Sequence, residues 1–212
     1  AHFGDGATSE GDFHEAMNFA GVYDVPALFV CNNNQWAIST PRDRQTASRT
    51  FAQKATAYGF EGVQVDGMDP LATYVVTKAA REKALDAESD APRPTLVEAV
   101  QYRFGAHTTA DDPSVYRDDD EVEAWRRKDP LDRFESFLRE TGRLDDERAA
   151  AIDEEITETL AAAVDEVESF EADPDSMFEY AYAEQTPRIR DQQERFRELR
   201  EAHGDDSFDR GE

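Results

Sequence analysis

Apolar residues in the first hundred positions follow two alternating rhythms. Ala27-Leu28-Phe29-Val30-Cys31 is an uninterrupted apolar run, preceded by Pro26 and followed by Asn32-Asn33-Asn34. A strand covered on both faces reads this way. Ahead of it, Phe13, Met17 and Ala20 recur at spacings of four and three. That spacing predicts a helix running to about Tyr23, capped by Thr8 or Ser9 with Glu10 or Asp12 in its first turn. Further on, 50–58 reads as helical and 62–66 as a strand. Pro70, at a helical first position, opens a helix to about Asp86, and a break over 91–94 precedes a strand over 95–102. Strand and helix alternate, so an α/β fold with a mainly parallel sheet is expected. Ala1-His2-Phe3 reads as the last piece of a strand. The chain is therefore expected to be a C-terminal fragment, with the N-terminal part of the fold missing.

Beyond about Asp119 the rhythm becomes purely helical, with segments expected over 121–128, 130–141, 145–170 and 187–202. The long one carries Ile152, Ile156, Leu160, Val164 and Val167 on one stripe, expected to pack onto its own domain rather than onto another subunit. Three regions follow: residues 1–118 as the α/β part, 119–204 as a helical C-terminal region, and 205–212 as a solvated acidic tail.

Charge narrows the partners. The 212 residues carry a net charge of −25, divided as −6 over 1–100 and −19 over 101–212, so the helical part is the more solvated. Nucleic acid and anionic membrane surfaces, both polyanionic, are excluded as partners. Only four of the 23 basic residues are lysines; with so many carboxylates, this composition suits a cytoplasm of very high salt, and a halophilic source is expected. The single cysteine, Cys31, cannot form an intrachain disulfide, and no run reads as a membrane span or a signal peptide, so the expected location is cytoplasmic.

The candidate chemistry lies at strand ends, where ligands bind in parallel α/β sheets. Asp5 stands between Gly4 and Gly6 directly after the first strand, and Asn32-Asn33-Asn34 follows the second. The Gly67 turn and the Gly105-Ala106-His107 loop follow the next two. Magnesium takes about six oxygen ligands, commonly one or two protein carboxylates or carbonyls together with phosphate oxygens and water. Asp5 offers the charge, Asn34 a side-chain carbonyl, and the loop around Trp36 a main-chain carbonyl. Glycine at 4 and 6 leaves room for a diphosphate against the backbone.

These residues resemble the thiamin diphosphate motif. The longer stretches GDGATSEGDFHEAMNFAG, CNNNQWAISTP, VQVDGMDPLATY, TLVEAVQYRFGAHTTADDPSVYR and WRRKDPLDRF are similar to the α subunit of the E1 component of 2-oxo acid dehydrogenase complexes, over nearly all of residues 3–140. The resemblance implies a thiamin diphosphate-binding fold. It also implies Asp5, Asn34 and the main-chain oxygen of Trp36 as magnesium ligands, with Gly4, Gly6, Ala7 and Asn32 beside the diphosphate. Family members often carry tyrosine where Trp36 stands and arginine or glutamine where Asn32 stands. His107 matches the histidine that reaches the cofactor and the reacting 2-oxo acid, and Asp111, Asp112, Tyr116 and Arg117 match the loop that orders over the cofactor and meets the lipoyl carrier. His2 and His14 are expected to be structural.

The activity implied is oxidative decarboxylation of a 2-oxo acid, with reductive acyl transfer to a lipoyl-bearing E2 core. No residue matches the activating glutamate that the family places on its β subunit. An α2β2 assembly, active only with the β chain, is therefore implied. The DGMDPLATY stretch leans towards pyruvate, whereas the Asp111-Asp112 pair and Tyr116-Arg117 also suit branched-chain 2-oxo acids. An acetoin dehydrogenase α subunit or another thiamin diphosphate enzyme is the alternative within the enzyme class, and a non-catalytic α/β binding module the alternative outside it.

Overall fold

A computed structural model describes residues 1–88, 90–171 and 173–204; the predicted acidic tail at 205–212 lies outside these residues. Four parallel strands form the central sheet: β1 (His2–Gly4), β2 (Leu28–Asn33), β5 (Glu61–Asp66) and β6 (Thr95–Val100), in the order β1-β2-β6-β5. A small antiparallel pair, β3 (Trp36–Ala37) and β4 (Thr40–Pro41), follows β2. The register sets Gly4 opposite Asn32, and Asn33 and Asp66 opposite Val100. The carboxyl ends of all four strands therefore lie on one edge.

Side chains alternate across each strand, and both faces of the sheet are covered. On one face, Phe29, Cys31 and Leu96 pack against Phe13, Met17 and Ala20 of helix α1 (Gly11–Val22) and against Phe51, Ala55 and Phe60. On the other, Val65, Val97 and Ala99 meet Ala80, with Ala72 and Val76, on helix α3 (Pro70–Leu85). A third cluster of Trp36, Tyr102 and Val122 joins the end of the sheet to helix α4 (Asp119–Arg126), where Tyr102 and Trp125 stack at 5.2 Å. Helix α5 (Pro130–Glu140) follows, after a short α2 (Arg42–Gln45) earlier in the chain.

The expected cap of α1 requires correction. The helix starts at Gly11, because Asp5–Ser9 coil into a separate 3-10 turn, and Glu10 occupies the cap position without a side-chain bond. Thr8 is buried and spends its hydroxyl on Asp5 O at 2.8 Å. Elsewhere aspartates do cap: Asp69, Asp118 and Asp129 accept from the first amides of α3, α4 and α5. Part of the carboxylate excess is thus spent on unpaired helix amides. His14 is structural, with Nδ1 2.5 Å from the Tyr58 hydroxyl.

The segment Ala52–Tyr58, a 3-10 helix rather than an α-helix, rests on two glycines. A Cβ at Gly62 would run into Ala52 O, and one at Gly21 into Tyr58 O. Gly62→Ala is expected to lower stability by on the order of 3 kcal/mol, since the clash is with backbone and the whole segment has to lift from β5. Denaturant unfolding of the full chain would measure this, and a wild-type midpoint would show that the segment yields freely.

The compact unit built on the sheet extends to Asp145 and takes in α4 and α5. A second unit, from Asp146, contains α6 (Asp146–Glu168), α7 (Ser176–Glu179) and α8 (Pro187–His203). Within it Phe178 packs on Phe196 at 5.6 Å, and Arg197 pairs with Asp175 at 2.9 Å. The apolar stripe of α6 contradicts the expectation of packing on its own domain. Its five side chains, from Ile152 to Val167, are 37–74% exposed, and no residue of the helix is buried.

Candidate functional site

The β1–β2 register delivers Asp5 beside the end of β2. The 3-10 turn that opens at Asp5 folds its carboxylate inward, leaving it 1% exposed. An isolated carboxylate is costly to bury, yet Asp5 has no ion-pair partner among the described residues. Its Oδ2 accepts only a neutral donor, Gln45 Nε2, at 2.6 Å. The other atom of that amide, Gln45 Oε1, is shielded from solvent and has no hydrogen-bond partner. A buried carboxylate whose one side-chain partner is a neutral amide is an oxygen ligand that suits a hard cation.

The carboxamides divide their work. Asn34 Oδ1 accepts from the Trp36 amide at 3.0 Å, forming a tight turn that keeps its oxygen next to the Trp36 main chain. The Trp36 carbonyl takes a weak contact of 3.3 Å from Arg103 Nη1 and retains lone-pair capacity for a second partner. Asn33 faces the interior, with Nδ2 donating to Glu98 Oε1 at 2.7 Å. Asn32 Oδ1 lies 3.5 Å from Gln101 Nε2.

The two motif glycines differ. A Cβ at Gly6 would stand 2.8 Å from Ala37 Cβ, so glycine lets the Asp5 turn sit against β3. At Gly4 an added Cβ meets nothing within 4 Å, leaving the backbone open to an approaching group. Ala7 lies within the turn, and its carbonyl accepts from the Glu10 amide at 3.1 Å.

His107 follows β6 in an exposed loop. Its backbone amide donates to Asp111 Oδ2 at 2.7 Å. Asp111 Oδ2 also accepts from the Tyr116 hydroxyl at 2.6 Å, and that hydroxyl accepts from Arg103 Nη2 at 2.9 Å. The Tyr116 hydroxyl, then the His107 amide, holds the Asp111 carboxyl below the usual range. Arg103 reaches on to Ile38 O at 2.7 Å, and Arg117 Nη2 donates to Phe104 O at 2.8 Å. These bonds tie the loop to the Trp36 hairpin and leave His107 exposed. Asp112 caps a short turn at Pro113–Val115 and takes no part in this network.

Asp5, Asn34 and Trp36 are therefore brought together by the register, and the loop containing His107 is anchored at the same edge. Gln45 and Glu98 escaped the sequence reading. Glu98 did leave a signal, since a glutamate within Thr95-Leu96-Val97-Glu98-Ala99-Val100, a strand apolar on both faces, has to be partnered if buried.

A buried carboxylate and a carboxamide turn lie together at the carboxyl edge of a doubly covered parallel sheet, the arrangement of an α/β protein whose strand ends form the site. Residues 1–175 match the model of the dehydrogenase E1 component family, and the chain belongs to that family. It is 45% identical over 197 residues to the pyruvate dehydrogenase E1 component subunit alpha of Staphylococcus aureus strain Mu50, covering 92% of this chain and 52% of that protein. It is 46% identical over 201 residues to the 3-methyl-2-oxobutanoate dehydrogenase subunit alpha of Mycobacterium tuberculosis strain H37Rv, covering 93% and 53%. The chain thus spans about half the length of these relatives. No helix among the described residues is long and apolar enough to cross a membrane.

Proposed function

We propose that this chain is part of the α subunit of a 2-oxo acid dehydrogenase E1 and holds the magnesium–diphosphate end of thiamin diphosphate. The observation that carries the reading is Asp5: a buried carboxylate whose one side-chain partner is the neutral Gln45 amide, directly after the Gly4–Asn32 pairing that leads into the carboxamide loop. In this reading Asp5, Asn34 Oδ1 and the Trp36 carbonyl hold Mg2+, while Gly4, Gly6, Ala7 and Asn32 line the diphosphate. Thiamin diphosphate, when bound, supplies the nucleophilic carbon and electron sink that decarboxylation of a 2-oxo acid requires.

The chain's own residues anchor that group and neutralise its charge, and His107 is assigned to proton transfer or oxyanion stabilisation at the reacting carbonyl. An E1 β subunit, in an α2β2 assembly, completes the site, and a lipoyl-bearing E2 core in the cytoplasm receives the acyl group. That the two relatives are named for pyruvate and for 3-methyl-2-oxobutanoate supports pyruvate or a branched-chain 2-oxo acid as the substrate, with acetoin as the alternative. Side-by-side turnover of pyruvate, 3-methyl-2-oxopentanoate and acetoin by the complete α/β assembly tests this. One 2-oxo acid is expected to dominate, and preference for acetoin would overturn the assignment.

A further inference from the structure

Behind the Asp5 turn and the Asn34–Trp36 loop runs a chain of hydrogen bonds centred on Glu98. This residue sits in the middle of β6, on the same face as Leu96, and is 0% exposed. Its oxygens take two different donors: Oε1 accepts from Asn33 Nδ2 at 2.7 Å, and Oε2 accepts from the Ala52 amide at 2.9 Å. It has no ion pair among the described residues, so its role is geometric acceptance at both ends.

Through Asn33 the chain reaches the carboxamide loop. Asn33 Oδ1 accepts from the Gln35 amide at 3.2 Å and from Gln35 Nε2 at 3.0 Å. Glu98 thereby dictates which side of the Asn33 amide faces Gln35. That residue stands at φ 73°, where side-chain-bearing residues are uncommon, so its conformation has to be held by such bonds. The next amide, of Trp36, donates to Asn34 Oδ1. Through Ala52 the chain reaches the other half. Segment 52–58 carries Lys54, whose Nζ donates to Thr8 O at 2.8 Å and to Thr8 Oγ1 at 3.0 Å, and that hydroxyl holds Asp5 O.

We propose that Glu98 is a positioning residue: its carboxylate fixes the polarity of the Asn33 carboxamide and ties the Asn34–Trp36 loop, through segment 52–58, to the Asp5 turn. The two parts of the cation site thereby keep their spacing. The link to cation binding rests on the magnesium–diphosphate reading; the hydrogen-bond relay does not.

A carboxylate is required at this point because both groups facing it are donors. In Glu98→Gln the new amide can accept from only one of them. If it keeps Ala52, its NH2 opposes the Asn33 NH2. Asn33 then has to turn over and present donors to the Gln35 amide. Adding Asn33→Asp restores every pairing: the new amide at 98 accepts from Ala52 and donates to the new carboxylate at 33, which accepts from Gln35.

Amide hydrogen exchange and calorimetry with Mg2+ and thiamin diphosphate, on the full-length chain assembled with its β subunit, test the relay. Glu98→Gln is expected to speed exchange of the Gln35 amide about tenfold, the size of one lost hydrogen bond, and to weaken binding by about as much. The double variant N33D/E98Q is expected to return both to within about threefold of wild type. Unchanged Gln35 exchange in Glu98→Gln, or a double variant no better than the single one, overturns the proposal. If Glu98→Gln fails to fold, a folded double variant with wild-type exchange supports the relay, and failure of both overturns it. A wild-type assembly that binds no cofactor would sink the site reading, and the exchange result would still judge Glu98.

Discussion

Asp5→Ala is expected to abolish metal-dependent binding of thiamin diphosphate to the assembled protein. Groups that merely support a metal's ligands are worth about 10–100-fold in affinity, and Asp5 is the one charged member of the proposed ligand set. The remaining donors, Asn34 Oδ1 and the Trp36 carbonyl, are neutral oxygens already engaged by the Trp36 amide and by Arg103. They cannot replace a charge lost from a buried position. The same substitution should leave the cofactor-free protein at least as stable as wild type. In the free state Asp5 is buried with only a neutral hydrogen-bond donor, and burial of an incompletely compensated carboxylate is unfavourable. Calorimetry with Mg2+ and thiamin diphosphate, together with a melting curve of the free assembly, separates loss of a ligand from loss of fold. Binding retained at wild-type affinity would remove Asp5 from the site.

The turn at Asp5 was legible in sequence for a local reason. Asp5 lies between glycines at the end of a strand, a local arrangement that needs no tertiary information. The buried strand at β2, the helix α3 opening at Pro70, and the strand at β6 were equally local, since each follows from an apolar run or a cap. What could not be read depends on neighbours distant in sequence. The sequence shows that Glu98 interrupts an otherwise apolar strand, but its partners Asn33 and Ala52, 65 and 46 residues away, are set only by the fold. Gln45 lies in a polar stretch with no apolar rhythm, and only the β3–β4 hairpin returns it to Asp5 across 40 residues. Thr8 resembles a helix cap by composition, but Lys54 and the Asp5 carbonyl compete for its hydroxyl and win.

The stripe on α6 failed as an expectation for a related reason. Spacing establishes that one face of a helix is apolar, but what covers it is a property of the assembly. Among the described residues of 146–204 no side chain of the stripe is fully covered.

His107→Ala is expected to leave cofactor binding close to wild type while lowering acyl transfer to a lipoyl group by about 10²–10⁴-fold, the range of general acid–base contributions. The separation is possible because the loop does not depend on the imidazole. His107 is attached through its backbone amide, which alanine keeps, to Asp111 Oδ2. Asp111 is held in turn by Tyr116, and Tyr116 by Arg103, whose guanidinium also reaches Trp36 O and Ile38 O. Removing the ring should therefore delete a reacting group and leave the loop ordered. Asp111→Asn is the contrasting variant: it weakens the acceptor shared by His107 and Tyr116 and should loosen the loop with the imidazole still present. A histidine that acts in the reaction makes His107→Ala lower the single-turnover rate of acyl transfer without changing loop hydrogen exchange, whereas Asp111→Asn changes the exchange. Wild-type transfer rates in His107→Ala would refute the chemical role and leave His107 as a loop residue held by its main chain.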